Sequence, residues 1–316
     1  MSSKILVTGG AGFIGSHIVD RLMGEGFSVR VVDNLSSGRL ENIEQWLGNH
    51  RFEFFRGDLK SYSDALEAVK GVDVVFHFAA NPEVRVSTTN PRVHFEENVV
   101  ATFNLLEAMR ERGVKEIIFA SSSSVYGEPE TIPVDENAPM KPVSVYGASK
   151  AACENLIHSY SKLYGIKAVI LRYANVIGPR LRHGVIYDLL MKIKRSREVL
   201  EVLGDGTQTR SYIYIADAVE ATIAAWRNSR EEYNVYNVGS EDWITVREVV
   251  NIILSELRLD NVRIVYRPVL HGVGWPGDVK RIALAIDKLK KLEFTPRHKS
   301  REAVAKTVRE LAKELL

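Results

Sequence analysis

A doubly wound parallel α/β sheet followed by a smaller C-terminal lobe is the fold class this sequence predicts, and three observations carry it. Short apolar runs alternate with helix-period stretches through the first half of the chain. The chain opens with an apolar run that leads straight into T-G-G-A-G-F-I-G at 8–15. Past about Val176 the alternation gives way to turn-rich sequence at Gly178-Pro179, Gly204-Asp205-Gly206 and Pro276-Gly277. Alternating strands and helices build a parallel sheet covered on both faces, whose ligand lies beyond the carboxyl ends of the strands.

The elements follow in order. Residues 4–8 read as a strand and 12–23 as the helix after it. Residues 28–32 form a second strand and 51–55 a weaker third. Residues 72–78 have the apolar continuity of a buried strand, and 93–112 read as one long helix. A strand at 116–121 leads into a loop rich in Pro and Glu; 145–164 is helical and 167–172 is strand again. The expected division is a Rossmann-type dinucleotide domain at 1–175 and a mainly substrate-binding lobe at 176–316, with 214–226 and 233–238 able to return to the main sheet. Residues 301–316 carry the pattern of an amphipathic helix packed on the domain.

With 316 residues the chain can bury a large core as one domain or two lobes. A formal charge of +2 and the lack of a dense Lys/Arg block give no reason to expect nucleic acid. The single cysteine, Cys153, excludes an internal disulfide framework and is expected as a small core residue of a helix. No apolar run is long enough to cross a membrane, and a first strand near Lys4 leaves no room for a signal peptide. A cytoplasmic enzyme is the expectation. The eight histidines show no metal-ligand spacing; His77, inside a strand, is expected to be held by packing or a backbone bond. The basic run at 192–197 ends a helix and reads as a solvated face.

Gly9, Gly12 and Gly15 supply what a dinucleotide turn needs: a tight turn, room for a pyrophosphate at a helix N-terminus, and close packing of helix on strand. Asp33 ends the next strand at the expected distance. A carboxylate there accepts from ribose hydroxyls and repels a 2′-phosphate, so NAD is preferred over NADP. Asn34, Ser36 and Ser37 are either turn residues or ribose and phosphate contacts, and Asp58-Leu59 either touches the adenine edge or caps a turn.

Tyr146 and Lys150 share one helix face at i, i+4 spacing, downstream of the serine run 121–124. A free tyrosine with a pKa near ~10 is a poor base at neutrality. A neighbouring ammonium and an oxidised nicotinamide both favour the phenolate, and Ser122 is placed to orient the same substrate oxygen. Without the glycine fingerprint, Tyr146 would read as a helix-start aromatic and Lys150 as surface. Some of the other serines are expected only to satisfy backbone.

These residues resemble the extended short-chain dehydrogenase/reductase family, in its UDP-galactose (UDP-glucose) 4-epimerase branch. The likeness spans essentially the whole chain and rests on the opening glycine motif, Asp33-Asn34, H-F-A-A at 77–80, Asn98, S-S-S-S-V-Y-G at 121–127, Y-G-A-S-K at 146–150, L-R-Y-A-N-V at 171–176, Arg210-Ser211-Tyr212 and Pro276-Gly277-Asp278. The resemblance implies that Tyr146 takes the proton of a sugar 4-hydroxyl while NAD takes hydride from C4. The 4-keto sugar turns over and is reduced on its other face. It implies Ser122 as the catalytic serine, with Ser123 beside it in the substrate site, and Lys150 as the residue that holds the nicotinamide ribose. Further cofactor contacts fall on Phe13, Ile14, Ser37, Phe78, Ala79, Ala80, Asn98 and Tyr173. Asn175 and Arg210 match diphosphate ligands, Leu203 the surface under uracil, and Asp278 the uridine ribose contact. Members commonly form homodimers through the two long helices.

Two departures stand out. The arginine usual three residues before the acidic ribose contact is replaced by Trp275, which either stacks on base or ribose or packs the lobe; Arg180, Arg182 or Arg85 is then the replacement cation. The segment 79–87 is closer to UDP-glucuronate epimerases, so Arg85 either meets a uronate carboxylate or makes a structural salt bridge. Ser124 stands where dehydratases and decarboxylases carry an acid, and the medium-sized Ile282 favours plain hexoses. The leading expectation is 4-epimerisation of UDP-glucose and UDP-galactose. Behind it stand the same chemistry on UDP-glucuronate or UDP-N-acetylhexosamine, and a non-catalytic nucleotide-binding regulator.

Overall fold

The computed structural model describes residues 3–316. β1 (Lys4–Thr8) runs through the glycine turn into α1 (Phe13–Gly24), followed by β2 (Ser28–Asp33), β3 (Phe52–Arg56), α2 (Tyr62–Ala68) and β4 (Val74–His77). A helical stretch then comes in three pieces: α3 (Arg92–His94), a π turn (Phe95–Val100) and α4 (Ala101–Arg112). β5 (Glu116–Ser122), α5 (Val145–Tyr164) and β6 (Lys167–Tyr173) complete the first half. The second half holds β7 (Asn175–Ile177), α6 (Gly184–Arg195), β8 (Val199–Leu203), β9 (Thr209–Arg210), β10 (Tyr212–Tyr214) and α7 (Ile215–Asn228). After these come β11 (Tyr233–Val238), β12 (Ile244–Thr245), α8 (Val246–Glu256), β13 (Arg263–Arg267), α9 (Asp287–Lys290) and α10 (Ser300–Leu315).

Among the described residues, a seven-stranded sheet runs in the order β11-β6-β5-β4-β1-β2-β3, and every pair in it is parallel. The expected doubly wound Rossmann-type sheet is therefore present. Its strand order reverses between β1 and β4, which opens a crevice at their carboxyl ends. Ile5 and Val7 pack with Ile18 and Leu22 of α1 on one face, while Leu6 packs with Leu105, Met109, Cys153 and Ile157 on the other. Both sides of the strands are dry, which is why they read as continuous apolar runs rather than as alternation. Cys153 is fully buried in α5, the small core residue expected.

α5 begins where the Ser144 hydroxyl accepts the Gly147 N–H at 3.1 Å and ends at Gly165, which adopts φ 63°. The long helix expected at 93–112 is not continuous. The π turn admits one extra residue and swings the Asn98 side chain inward, where it bonds two neighbouring segments.

After β6 the chain builds the pairs β7–β10, β9–β12 and β8–β13 with α6, α8 and α10. It returns once: β11 extends the main sheet beside β6, and α7 packs on α1. α10 lies against α8, β10 and α6, so the amphipathic terminal stretch packs on the protein itself.

Candidate active site

A cleft of about 740 Å³ crosses the carboxyl ends of β1, β2, β4, β5 and β6 and continues into the smaller lobe. Its first part is shaped by glycine. Gly9 has φ +64°, and a Cβ there would stand 2.7 Å from the Ala79 nitrogen. A Cβ on Gly15 would fall 2.2 Å from the Gly9 carbonyl oxygen, so α1 packs this close to β1 only with glycine. Gly12 faces the cleft and caps α1 without a side chain, which leaves the first N–H groups of the helix for an anion. The residues present thus fit a dinucleotide pyrophosphate.

Asp33 closes this end. Its carboxylate accepts the Ala11 N–H at 3.0 Å and the Leu35 N–H at 2.8 Å, and burial pushes its pKa up. Asn34, Ser37, Asp58 and Leu59 surround it on the cleft wall. Asp58 also caps the following turn, accepting the Lys60 N–H at 2.9 Å. Phe13, Ile14, Phe78, Ala79, Ala80 and Tyr173 line the floor. Asn98, also expected as a cofactor contact, has its side-chain atoms committed to the protein. It is buried behind the wall, where its Oδ1 accepts the Asn81 N–H at 2.9 Å and its amide nitrogen donates to Ser149 at 2.8 Å. It positions the 79–83 loop, which lines the cleft.

Ser122, Ser123, Tyr146 and Lys150 meet on the same cleft. Lys150 is buried, and its Nζ donates to the Ala120 carbonyl at 2.7 Å above the Phe119 ring. Burial lowers its pKa to about 8 against a smaller opposing pull from Cys153 and Glu154. The Tyr146 phenol is pushed up to about 12, first by burial, while a hydrogen bond from Ser122 acts the other way. The Lys150 ammonium is turned to a backbone carbonyl, and the oxidised nicotinamide that was expected to act with it on the phenol comes only with the cofactor. Burial thus works against the phenolate, and positive charge brought near the phenol works for it.

Two buried networks behind the site were missed in the sequence. Glu154, one turn after Lys150, takes a hydrogen bond from Ser121 and an ion pair from Arg172 at 2.7 Å. Arg172 also donates to the Tyr126 hydroxyl at 3.0 Å, so Ser121 serves a buried carboxylate rather than backbone. The L-R-Y motif held the only signal for this pair. His77 is bonded through side chains, not backbone. Its Nδ1 meets Thr8 Oγ1 at 2.7 Å and its Nε2 meets Thr102 Oγ1 at 2.9 Å, and burial first, then the Lys150 charge, lower its pKa to about 3.

On the lobe side Asn175, Leu203, Arg210, Asp278 and Ile282 line the cleft. Arg210 Nη2 donates to Asp278 Oδ1 at 2.7 Å, and Asp278 Oδ2 accepts the Gly274 N–H at 3.0 Å. The proposed replacement cations are each already engaged. Arg85 lies between Glu83 and Asp188, each at 2.9 Å, which is the structural salt bridge. Arg180 pairs with Asp20 at 2.9 Å, and Arg182 pairs with Glu314.

Such a cleft belongs to the dinucleotide-dependent enzymes that move hydride to and from a carbon and the proton to and from its oxygen. More narrowly, the chain belongs to the NAD dependent epimerase/dehydratase family, whose model matches residues 5–239. A UDP-glucose 4-epimerase of Mycolicibacterium smegmatis is 34% identical over 311 residues, which cover 96% of this chain and 97% of that one. A crystal structure of a UDP-galactose 4-epimerase is 51% identical with a TM-score of 0.88, over 99% of this chain and 100% of the other. The UDP-glucuronic acid 4-epimerase of Bacillus cereus, in complex with UDP-glucuronic acid and NAD, is 30% identical with a TM-score of 0.89, over 99% of this chain and 100% of its own.

Proposed function

We propose that the protein is an NAD-dependent 4-epimerase that interconverts UDP-glucose and UDP-galactose through a transient 4-keto sugar. The observation that carries this reading is that Ser122, Tyr146 and Lys150 line one cleft with the glycine turn and Asp33. Bound NAD would supply an acceptor and donor of hydride at sugar C4. Tyr146 takes the 4-hydroxyl proton and returns it to the same oxygen once the keto sugar has turned its other face to the hydride donor, and Ser122 orients that oxygen. Lys150 holds the nicotinamide ribose. Gly9, Gly12, Phe13, Ile14, Gly15 and Asp33 hold the rest of the dinucleotide. Asn175, Arg210 and Asp278 hold the nucleotide diphosphate and ribose, and Leu203 lies under the base.

The sugar pocket favours a neutral hexose. Arg85 stands between two carboxylates, so its charge is outnumbered where a uronate would need it. Ile282, buried against Val125, Tyr126 and Leu284, leaves medium room. A homodimer fits the exposed Phe103 on α4 and Tyr164 on α5, which share one face through Tyr160. Among the described residues no helix is long and apolar enough to cross a membrane, in keeping with a cytoplasmic site of action.

The test incubates purified protein and NAD with a panel of UDP-sugars and resolves the 4-epimers by chromatography. Tyr146→Phe is expected to cut turnover at least about 100-fold. Equal activity in the two proteins defeats the assigned base, and the absence of any 4-epimer from wild type defeats the reading.

A further inference from the structure

Among the described residues, the buried side-chain polar atoms without a hydrogen-bond partner sit on Arg30, His94, Thr209 and Trp275, and His94 alone has two of them, Nδ1 and Nε2. His94 is 0% exposed. An imidazole shut away from water with neither nitrogen bonded is costly, and native structures rarely keep one without a reason. The reason lies in what the ring touches. It meets the ring of Tyr146 edge to face, with centroids 5.6 Å apart and planes at 69°. This is a favoured arrangement of two aromatic rings.

The rest of the hold on Tyr146 is at its backbone. Its N–H donates to Ser87 Oγ at 3.1 Å, and its carbonyl accepts from Ser149 Oγ at 2.7 Å. The phenol has Ser122 at its hydroxyl end and belongs to no hydrophobic cluster. Among the described residues His94 is the one aromatic ring against it. We propose that His94 is a positioning residue for Tyr146: the uncharged imidazole holds the phenol ring in its place on the cleft, and protonation of His94 in acid lets that ring go. The proposal rests on Tyr146 being the base of the reading above.

A proton added to His94 makes a buried cation with two N–H groups and no acceptor for either. The titratable groups that face it are Tyr146 on α5, Glu97 on the π turn and Glu83 on the segment before α3. The two carboxylates favour the charged ring, but each is already engaged. Glu83 holds Arg85 at 2.9 Å, and Glu97 accepts from the Asn81 amide at 3.2 Å. Burial outweighs them and keeps the His94 pKa below its ordinary value of 6.5. At neutral pH the ring is therefore uncharged and stays packed. Once charged it is solvated only by turning out of its place, and Tyr146 then loses its support.

The experiment measures kcat and KM for UDP-galactose with NAD-loaded protein between about pH 5 and pH 9, for wild type, His94→Phe and His94→Ala. At about pH 8, His94→Ala is expected to lose about tenfold in kcat with KM changed less than about twofold, while His94→Phe, which keeps a ring, stays within about threefold in both. The kcat of His94→Phe relative to wild type is expected to rise as the pH falls below 6.5, by at least about threefold at about pH 5. The ratio cancels the ionisation of Tyr146 itself, which both proteins share. His94→Gln, smaller and uncharged at every pH, repeats the acid comparison against its own value at about pH 8, should phenylalanine not fit. A ratio that stays flat for both uncharged variants overturns the acid release. A wild-type kcat in His94→Ala, or a loss confined to KM, overturns the positioning role. If wild type forms no 4-epimer at any pH, the assignment of Tyr146 falls first and that of His94 with it.

Discussion

Lys150 shows how much a single residue gives up to serve this site. It is 3% exposed, and burial brings its pKa from 10.5 to about 8. Between those two values the unfolded chain holds more protons than the folded one, so stability rises with pH across that window. Below pH 8 both states are charged and the full penalty is present, on the order of 3 kcal/mol. Lys150→Met is therefore expected to melt higher than wild type at pH 7 in the cofactor-free protein, to lose that advantage as the pH approaches 10.5, and to be inactive. Thermal melts across this pH range check it; a variant that melts lower at pH 7 overturns it. The pair Tyr146 and Lys150 was readable because i, i+4 spacing on a helix needs no tertiary knowledge. The direction of the Lys150 ammonium was not, since it depends on the Ala120 carbonyl of another element.

At the scale of elements, the join between β1 and α1 is the tightest constraint. A methyl on Gly15 would fall 2.2 Å from a backbone oxygen that has nowhere to go. Gly15→Ala is expected to push α1 off the sheet, lowering stability by about 1–3 kcal/mol and releasing NAD. Chemical denaturation and the cofactor content of the purified variant measure both; a variant with wild-type stability and full NAD sinks the argument. The same element logic explains which boundaries were legible. α5 runs over the residues its pattern predicts because Ser144 is a local start signal and Gly165 a local stop. The stretch at 93–112 reads as a regular helix because its apolar period continues, whereas the π turn goes with Asn98 bonds to Asn81 and Ser149, partners from other segments.

For the whole molecule, the sheet and the lobe divide the labour. The strand ends carry the glycine turn, Asp33 and Ser122, the start of α5 carries Tyr146, and the lobe brings Arg210, Asp278 and Trp275 to the same cleft. The helices α4 and α5 close the far face, where Phe103 is 45% and Tyr164 39% exposed beside Tyr160. Apolar groups gathered on one face fit a two-fold interface. Phe103→Glu is expected to shift the protein from dimer to monomer in sedimentation velocity without unfolding it. A wild type that sediments as a monomer removes the dimer from the picture.

By itself the sequence determined the class of fold, the glycine turn and the placing of Tyr146 and Lys150 on one helix face, because each is written in short-range spacing: a period, a glycine triplet, a single helical turn. Tertiary structure decided what surrounds them. Asn98 was drawn into the wall, Arg85 between two carboxylates, and Glu154 onto Arg172, while Trp275 was left with a buried N–H and no partner. Partners distant in sequence set the charge and hydrogen bonding of a buried group, and no local pattern records which of them folding will bring near.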